Sequence, residues 1–173
     1  ICVAQELLKR GKRVLFIDTD TQSNSTKFYE AATENASTIL DILCGDMPAA
    51  ECVQHTSKGD INPSDKLLSD AENMVKLDER RFTHLKRSLK PIEDLYDYII
   101  IDTPSSIGVV LKNVLATVNY VIIPVEEYGW SFDGLMDFSE ALELARDNNE
   151  NLKVAGIFNR KSERTNSKIE TNG

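Results

Sequence analysis

The sequence has few cysteines and no cysteine motif. Its three cysteines, Cys2, Cys44 and Cys52, are scattered and form no C-x-x-C pair. Such usage predicts reduced thiols in a reducing compartment rather than a disulfide framework. The two histidines, His55 and His84, have no ligand spacing to these cysteines, which argues against a cysteine–histidine metal site.

The sequence also lacks membrane and secretion signals. No apolar run reaches the length of a transmembrane helix, and residues 1–4 carry neither a basic leader nor a cleavage-site pattern. We therefore expect a cytoplasmic protein with no membrane partner. The formal net charge of −8 argues against a general nucleic-acid coat and leaves room for a local basic patch. There is no initiator methionine, so the chain is expected to begin inside a domain.

Several continuous apolar runs each end in a polar residue. The runs at 13–17, 98–101, 121–125 and 154–158 lead into Asp18, Asp102, Glu126 and Asn159. Runs of this kind are typical of parallel strands buried on both faces. Ligands of an open α/β sheet bind beyond the carboxyl ends of its strands. The residues expected to converge on one site are therefore Asp18, Asp20, Asp102 and Asn159.

Helical patterns fill the segments between these runs. The predicted helices are 1–10 with Gly11 as a left-handed cap, a turn at Thr38–Leu43, a short helix at Ala49–His55, a long helix at 65–90, a helix after Asp102, and 131–147. Residues 23–37 are expected to be a loop or a helix entry, and residues 61–64 a strand end or a loop. The 173 residues are enough for one doubly wound α/β domain with a mostly parallel sheet.

Apolar spacing within three of these helices predicts which side chains face the core. In 65–90 the expected buried stripe is Leu67, Leu68, Ala71, Met74 and Val75. In the helix after Asp102 it is Ile107, Val110, Leu111, Val114, Leu115 and Val118. In 131–147 it is Phe132, Leu135, Met136, Leu142 and Ala145.

The polar residues at the strand ends allow two interpretations each. Asp102 ends an apolar strand, where it could hold a hydrated Mg²⁺ or cap the following helix. Asp18 and Asp20 are two apart on an extended segment and point to the same side, so they could organise a metal and an attacking water, or cap a loop. The amide of Asn159 could bind a base edge or belong to a turn.

The order of these pieces resembles a known family. Residues 14–24, V-L-F-I-D-T-D-T-Q-S-N, resemble the V-L-L-I-D-x-D-P-Q-x-N segment of ParA/MinD-type partition ATPases. Residues 96–105 resemble their Y-D-[FY]-I-I-I-D-x-P-P stretch, and residues 121–135 resemble V-L-I-P-V followed by [ED]-G-L. The similarity extends from Ile1 to about Lys168, and the D-x-D-x-Q-x-N segment favours ParA (Soj-like) over MinD.

This resemblance implies a P-loop NTPase-like fold of the SIMIBI type and a role for each matching residue. It implies that residues 1–173 are a single partial ATPase domain, truncated at both ends. Asp20 would position the hydrolytic water, Asp18 would belong to the metal and switch region, and Asp102 would hold Mg²⁺ through water. Asn159 and Pro104 would lie in the nucleotide site, with Asn159 near the adenine base.

The resemblance also implies partners. The parent protein would bind Mg²⁺ and ATP, form an ATP-dependent homodimer, associate with the nucleoid through nonspecific DNA, and respond to a ParB-like centromere-binding protein during plasmid or chromosome segregation. Arg164, with Arg160 and Lys161, would lie on the DNA-binding face. A solvated polar loop is the alternative for these basic side chains.

The sequence departs from the family pattern in one major respect. The deviant Walker A loop, K-G-G-x-G-K-[ST], does not occur in it. Thr21 and Ser105 also stand where the family has proline. Without the loop, these 173 residues alone are expected neither to bind ATP tightly nor to hydrolyse it. The alternatives are a non-enzymatic ParA-like binding protein, a MinD-like membrane-positioning ATPase and a tyrosine-kinase-like ATPase of the same superfamily.

Overall fold

The computed structural model describes residues 1–45, 47–75, 81–104, 106–126 and 132–160. The strands are β1 (Val14–Asp18), β2 (Gln54–Thr56), β3 (Gly59–Asn62), β4 (Tyr98–Asp102), β5 (Tyr120–Glu126) and β6 (Lys153–Arg160). The helices are α1 (Cys2–Lys9), α2 (Asn24–Tyr29), α3 (Ile39–Leu43), α4 (Ala49–Cys52), α5 (Ala71–Met74), α6 (His84–Leu89), α7 (Val109–Thr117) and α8 (Phe132–Arg146), with 3-10 turns at Lys66–Asp70 and Glu93–Leu95.

β1 is an inner strand of a sheet with the order β2–β3–β1–β4. It runs parallel to both neighbours, and its Phe16 is in register with Ile61 of β3 and Ile100 of β4. β2 joins antiparallel to β3, and β5 and β6 form a separate parallel pair. The predicted α/β fold with a mostly parallel sheet is confirmed.

The core lies on both faces of β1. Leu15 and Ile17 pack in the larger cluster, with α3, α6 and α7. Val14 and Phe16 point to the opposite face, where they pack with Tyr29 of α2 and with α1. Because successive side chains of a strand alternate between faces, a strand with helices on both sides is apolar at every position. β1 is buried throughout, as its apolar run predicted.

The same prediction is wrong for β4 and β5. Tyr98 of β4 is 46% exposed, and Ile122 of β5 is 56% exposed. Among the described strands, β4 pairs with β1 and β5 pairs with β6, so each has one neighbour. A strand with one neighbour has an open side, and its side chains are less covered than those of β1.

The predicted long helix at 65–90 is wrong. The described part of this segment contains the 3-10 turn at Lys66–Asp70 and the short helices α5 and α6, while residues 76–80 lie outside the description. Val75 has extended backbone and ends α5. Leu68, Ala71 and Val75 are buried as predicted, but Leu67 and Met74 are 59% and 51% exposed. Leu67 lies in the 3-10 turn, where neighbouring side chains are about 120° apart, so it points away from the face of its buried neighbour Leu68. Met74 is the last residue of α5, just before the backbone becomes extended at Val75.

Other helix predictions need smaller corrections. The predicted helix at Ala49–His55 ends at Cys52, because Gln54 and His55 pair with β3 as part of β2. Ile107 precedes α7 and is 38% exposed, and Met136 of α8 is 58% exposed, so neither faces the core. α1, α3 and α7 form as predicted, and Gly11 has the left-handed φ of +73° that ends α1. No helix in the described ranges is both long and apolar enough to cross a membrane.

Candidate functional site

The carboxyl ends of β1 and β4 lie side by side. Asp18 and Asp102 are register partners at the last pair of this parallel ladder. Beyond them, the amide and the hydroxyl of Thr19 both donate to the carbonyl oxygen of Asp102, over 2.9 and 2.6 Å. The two strand ends are therefore tied together, and the structure brings three predicted residues, Asp18, Asp20 and Asp102, to one edge of the sheet.

Asp18 is fully buried and its carboxylate is well bonded. Oδ2 accepts from the amide and the hydroxyl of Thr26, both over 2.7 Å, and Oδ1 accepts from the amide of Asp20 over 3.1 Å. Burial raises the pKa of the Asp18 carboxyl, the hydrogen bonds oppose that shift, and the charge of Asp102 adds to it. The carboxylate thus holds the first turn of α2 against β1, which is the loop-capping arrangement.

Asp20 is half-buried at the turn that follows β1. Its Oδ1 accepts from the amide of Gln22 over 2.9 Å, and its carbonyl oxygen accepts from the hydroxyl of Ser64 over 2.8 Å. The backbone of Asp20 is therefore fixed by the segment after β3. A carboxylate in such a turn keeps lone pairs for a water molecule.

Asp102 is exposed at the end of β4. Its Oδ2 accepts from the hydroxyl of Ser25 in α2, over 2.8 Å. Pro104, two residues after Asp102, is half-buried, and Ser105 lies outside the described residues. Ser25 and Asp102 thus connect α2 to the strand end.

The sequence pattern did not predict three residues of the candidate site. Ser25 and Thr26 are 1% and 2% exposed, and Ser64 is fully buried. The amide of Ser64 donates to the hydroxyl of Thr26 over 2.9 Å, so these side chains connect β1, β3 and β4 through α2. The available signal was the place of Ser64 just after β3, since polar residues at strand ends of an α/β sheet lie at the ligand edge.

The side chains of four predicted site residues lie outside the described residues. The backbones of Asn159 and Arg160 lie in β6, in the separate β5–β6 pair, and their side chains lie outside the description. Lys161 and Arg164 also lie outside the described residues.

The oxygen donors at this edge fit Mg²⁺ in part. Among the described residues, no three His, Cys, Asp or Glu side chains are grouped to hold a metal by themselves. Mg²⁺ commonly uses one or two carboxylates, completes its shell with water and phosphate oxygens, and prefers oxygen ligands. An exposed Asp102 beside the turn of Asp20 offers such a partial set.

Comparison with known proteins places the chain in a family. A family model for an AAA domain matches residues 1–154. The chromosome partitioning protein ParA of Myxococcus xanthus is 32% identical over 163 residues, which cover 91% of this chain and 57% of that protein. The chain spans between 57% and 62% of the length of the first curated relatives it matches.

Two solved structures share the fold. Cobyrinic acid a,c-diamide synthase from Mycobacterium smegmatis, with bound ADP and magnesium, has a TM-score of 0.82 at 27% identity, covering 91% of this chain and 65% of that one. A plasmid partition protein from Borrelia burgdorferi has a TM-score of 0.78 at 28% identity, covering 97% of this chain and 75% of that one. The P-loop NTPase-like fold is thereby confirmed. The chain belongs to the ParA-type AAA domain family.

Proposed function

We propose that the complete gene product is a Mg²⁺-dependent ATPase of the ParA type that acts in plasmid or chromosome segregation. The observation that carries this proposal is the pairing of Asp18 with Asp102 at the carboxyl edge of β1 and β4, with Asp20 in the adjoining turn. Carboxylates beside each other at this edge repel one another unless a cation or a proton compensates them.

Each carboxylate has a different proposed role. Asp102 is exposed and would hold Mg²⁺ through water. Asp20 would orient the attacking water, because its carboxylate lies in a turn whose backbone is fixed. Asp18 is buried under α2. It would therefore contribute to the metal site through water, and to the switch region through the loop that it holds. A bound Mg²⁺ would neutralise charge on the transferred phosphate.

The proposed partners and the roles of the remaining site residues are inferred from the resemblance to the family. A homodimer formed with ATP, nonspecific DNA and a ParB-like protein are the proposed partners. Asn159 and Pro104 are proposed for the nucleotide site, and Arg160, Lys161 and Arg164 for DNA. DNA contacts of this kind are electrostatic and weaken as salt is raised. The name of the relative from Myxococcus xanthus, chromosome partitioning protein ParA, supports the proposed role in segregation.

The test is ATP hydrolysis by the complete gene product, compared with Asp20→Ala and the matched control Asp65→Ala. Asp65 is a suitable control because its Oδ1 accepts from the amide two residues later, Leu67, over 2.9 Å, as Oδ1 of Asp20 does from Gln22. We expect Mg²⁺-dependent hydrolysis that Asp20→Ala lowers at least about a hundredfold and Asp65→Ala leaves unchanged.

Both substitutions remove a turn bond of the same length, so a shared loss of activity would indicate damage to the fold. Hydrolysis that persists in Asp20→Ala, or a complete gene product without Mg²⁺-dependent hydrolysis, would contradict the proposal. Binding of ATP by Asp20→Ala should persist, since the residue is assigned to the water rather than to the nucleotide.

A further inference from the structure

Ser25 connects α2 to Asp102 through one hydrogen bond. Its hydroxyl donates to Oδ2 of Asp102 over 2.8 Å. Ser25 is 1% exposed, whereas Asp102 is exposed at the strand end. An exposed carboxylate samples several rotamers, and a hydrogen bond from a fixed hydroxyl selects one of them. In this pair the donor is the fixed group and the acceptor is the group that could otherwise turn.

The fixed position of Ser25 follows from how α2 is held. The hydroxyl of Thr26 accepts from the amide of Ser64 over 2.9 Å while donating to β1. Tyr29 packs on Phe16 with ring centroids 5.3 Å apart. Lys58 in the β2–β3 hairpin donates over 2.6 Å to a carbonyl oxygen of the last turn of α2. The helix is therefore anchored along its whole length without the bond from Ser25.

We propose that Ser25 is a positioning residue for a divalent cation. It binds Oδ2 of Asp102, so the orientation of the carboxylate is set before a metal arrives and the lone pairs of the other oxygen stay available to metal-bound water. This inference rests on the proposed function, in which Asp102 holds Mg²⁺ through water. Loss of the Ser25 hydroxyl frees the carboxylate to turn, and the metal then has to select the productive rotamer.

The test is a double-mutant cycle in the complete gene product with Ser25→Ala, Asp102→Ala and both together. Calorimetry at saturating ATP gives the apparent Mg²⁺ affinity, and hydrogen exchange of the α2 amides is followed in the ligand-free protein. We expect Ser25→Ala to weaken Mg²⁺ about three- to tenfold, with no further loss in the Asp102→Ala background. Exchange in α2 should be unchanged, because its other anchors remain.

Ser69→Ala is the matched control. Its exposed hydroxyl donates to the carbonyl of Lys66 over 2.9 Å, and its loss should leave Mg²⁺ affinity unaltered. If Asp102→Ala leaves Mg²⁺ affinity unchanged, the metal role in the proposed function fails and the inference falls with it. If Asp102→Ala weakens Mg²⁺ but Ser25→Ala does not, or weakens it equally in both backgrounds, the positioning role is wrong while the proposed function stands. Faster exchange in α2 of Ser25→Ala would also overturn it, since the effect would then be structural.

Discussion

The amide and the hydroxyl of Thr26 both donate to Oδ2 of Asp18, each over 2.7 Å. The same hydroxyl accepts from the amide of Ser64, so one side chain joins β1, α2 and the segment after β3. We predict that Thr26→Val lowers the free energy of unfolding by about 1–3 kcal/mol, because a buried carboxylate oxygen and a buried amide each lose a partner. Urea unfolding measures this loss.

Thr117→Val is the control for that experiment. The hydroxyl of Thr117 donates to the carbonyl of Asn113 four residues earlier in α7, a bond that adds little to helix stability. We expect a loss of less than about 1 kcal/mol. Equal losses for the two valine variants would show that the hydroxyl of Thr26 has no special role in holding α2.

Two carboxyls with opposite pKa shifts predict opposite pH dependence. Burial raises the pKa of Asp18, so its folded form holds a proton more readily and its contribution to stability decreases as pH rises above the ordinary aspartate value. The Arg13 side chain and amide lower the pKa of Asp97 to about 2, so its stabilisation is present above the ordinary value and is lost as pH falls toward about 2.

Unfolding of Asp18→Asn and Asp97→Asn across pH, without Mg²⁺ or nucleotide, measures both effects. The stability gap between wild type and Asp18→Asn should narrow as pH rises through the raised pKa of Asp18. The gap for Asp97→Asn should instead widen as pH rises from about 2 and then stay constant. Parallel profiles for the two variants would contradict the assigned shifts.

Two fully buried asparagines differ in their hydrogen bonding. Neither side-chain polar atom of Asn62 has a partner among the described residues. Asn113 accepts from the amide of Leu85 and donates to the carbonyls of Arg81 and Val109. We predict that Asn62→Val raises the free energy of unfolding by about 1 kcal/mol, whereas Asn113→Val lowers it by at least about 2 kcal/mol. Destabilisation of comparable size in both variants, measured by urea unfolding, would indicate that Asn62 has a polar partner.

Lys58 holds the carboxyl end of α2. Its Nζ donates to the carbonyl of Phe28 over 2.6 Å and to Glu30 over 2.7 Å, and it lowers the pKa of the Glu30 carboxyl. Lys58→Met should speed amide hydrogen exchange in the last turn of α2 at low salt, because a cation at a helix carboxyl end stabilises it. Lys90→Met is the control, since Lys90 pairs with Glu93 away from α2. Unchanged exchange in Lys58→Met would contradict this prediction, because the other contacts of α2 would then hold its last turn without Lys58.

Local pattern was enough to predict β1, β4, β5 and β6 and the neighbouring positions of Asp18 and Asp102. Each residue ends a continuous apolar run, and parallel strands bring their carboxyl ends to one edge. Burial was predicted correctly for β1 because it has strands on both sides, and incorrectly for Ile122 because it lies on β5, a strand with one described neighbour. Sheet neighbours are a tertiary property that a single run of residues does not encode.

The hydrogen-bond partners of the site could not be predicted. Ser25 reaches Asp102 across 77 positions, and Ser64 reaches Thr26 across 38. Polar side chains that bond over such distances leave no periodic signal, unlike the apolar faces of helices and strands. The prediction of one long helix at 65–90 was wrong for a related reason. The apolar spacing of this segment fits a helix, but Val75 takes an extended conformation that ends α5.

The most direct test of the central claim is the Mg²⁺ dependence of ATP binding by the complete gene product, measured by calorimetry with and without Asp102→Ala. If the edge of β1 and β4 is the metal and nucleotide site, wild type binds ATP more tightly with Mg²⁺ than without it, and Asp102→Ala removes most of that difference. ATP binding that gains equally from Mg²⁺ in both proteins would contradict the assignment of this edge.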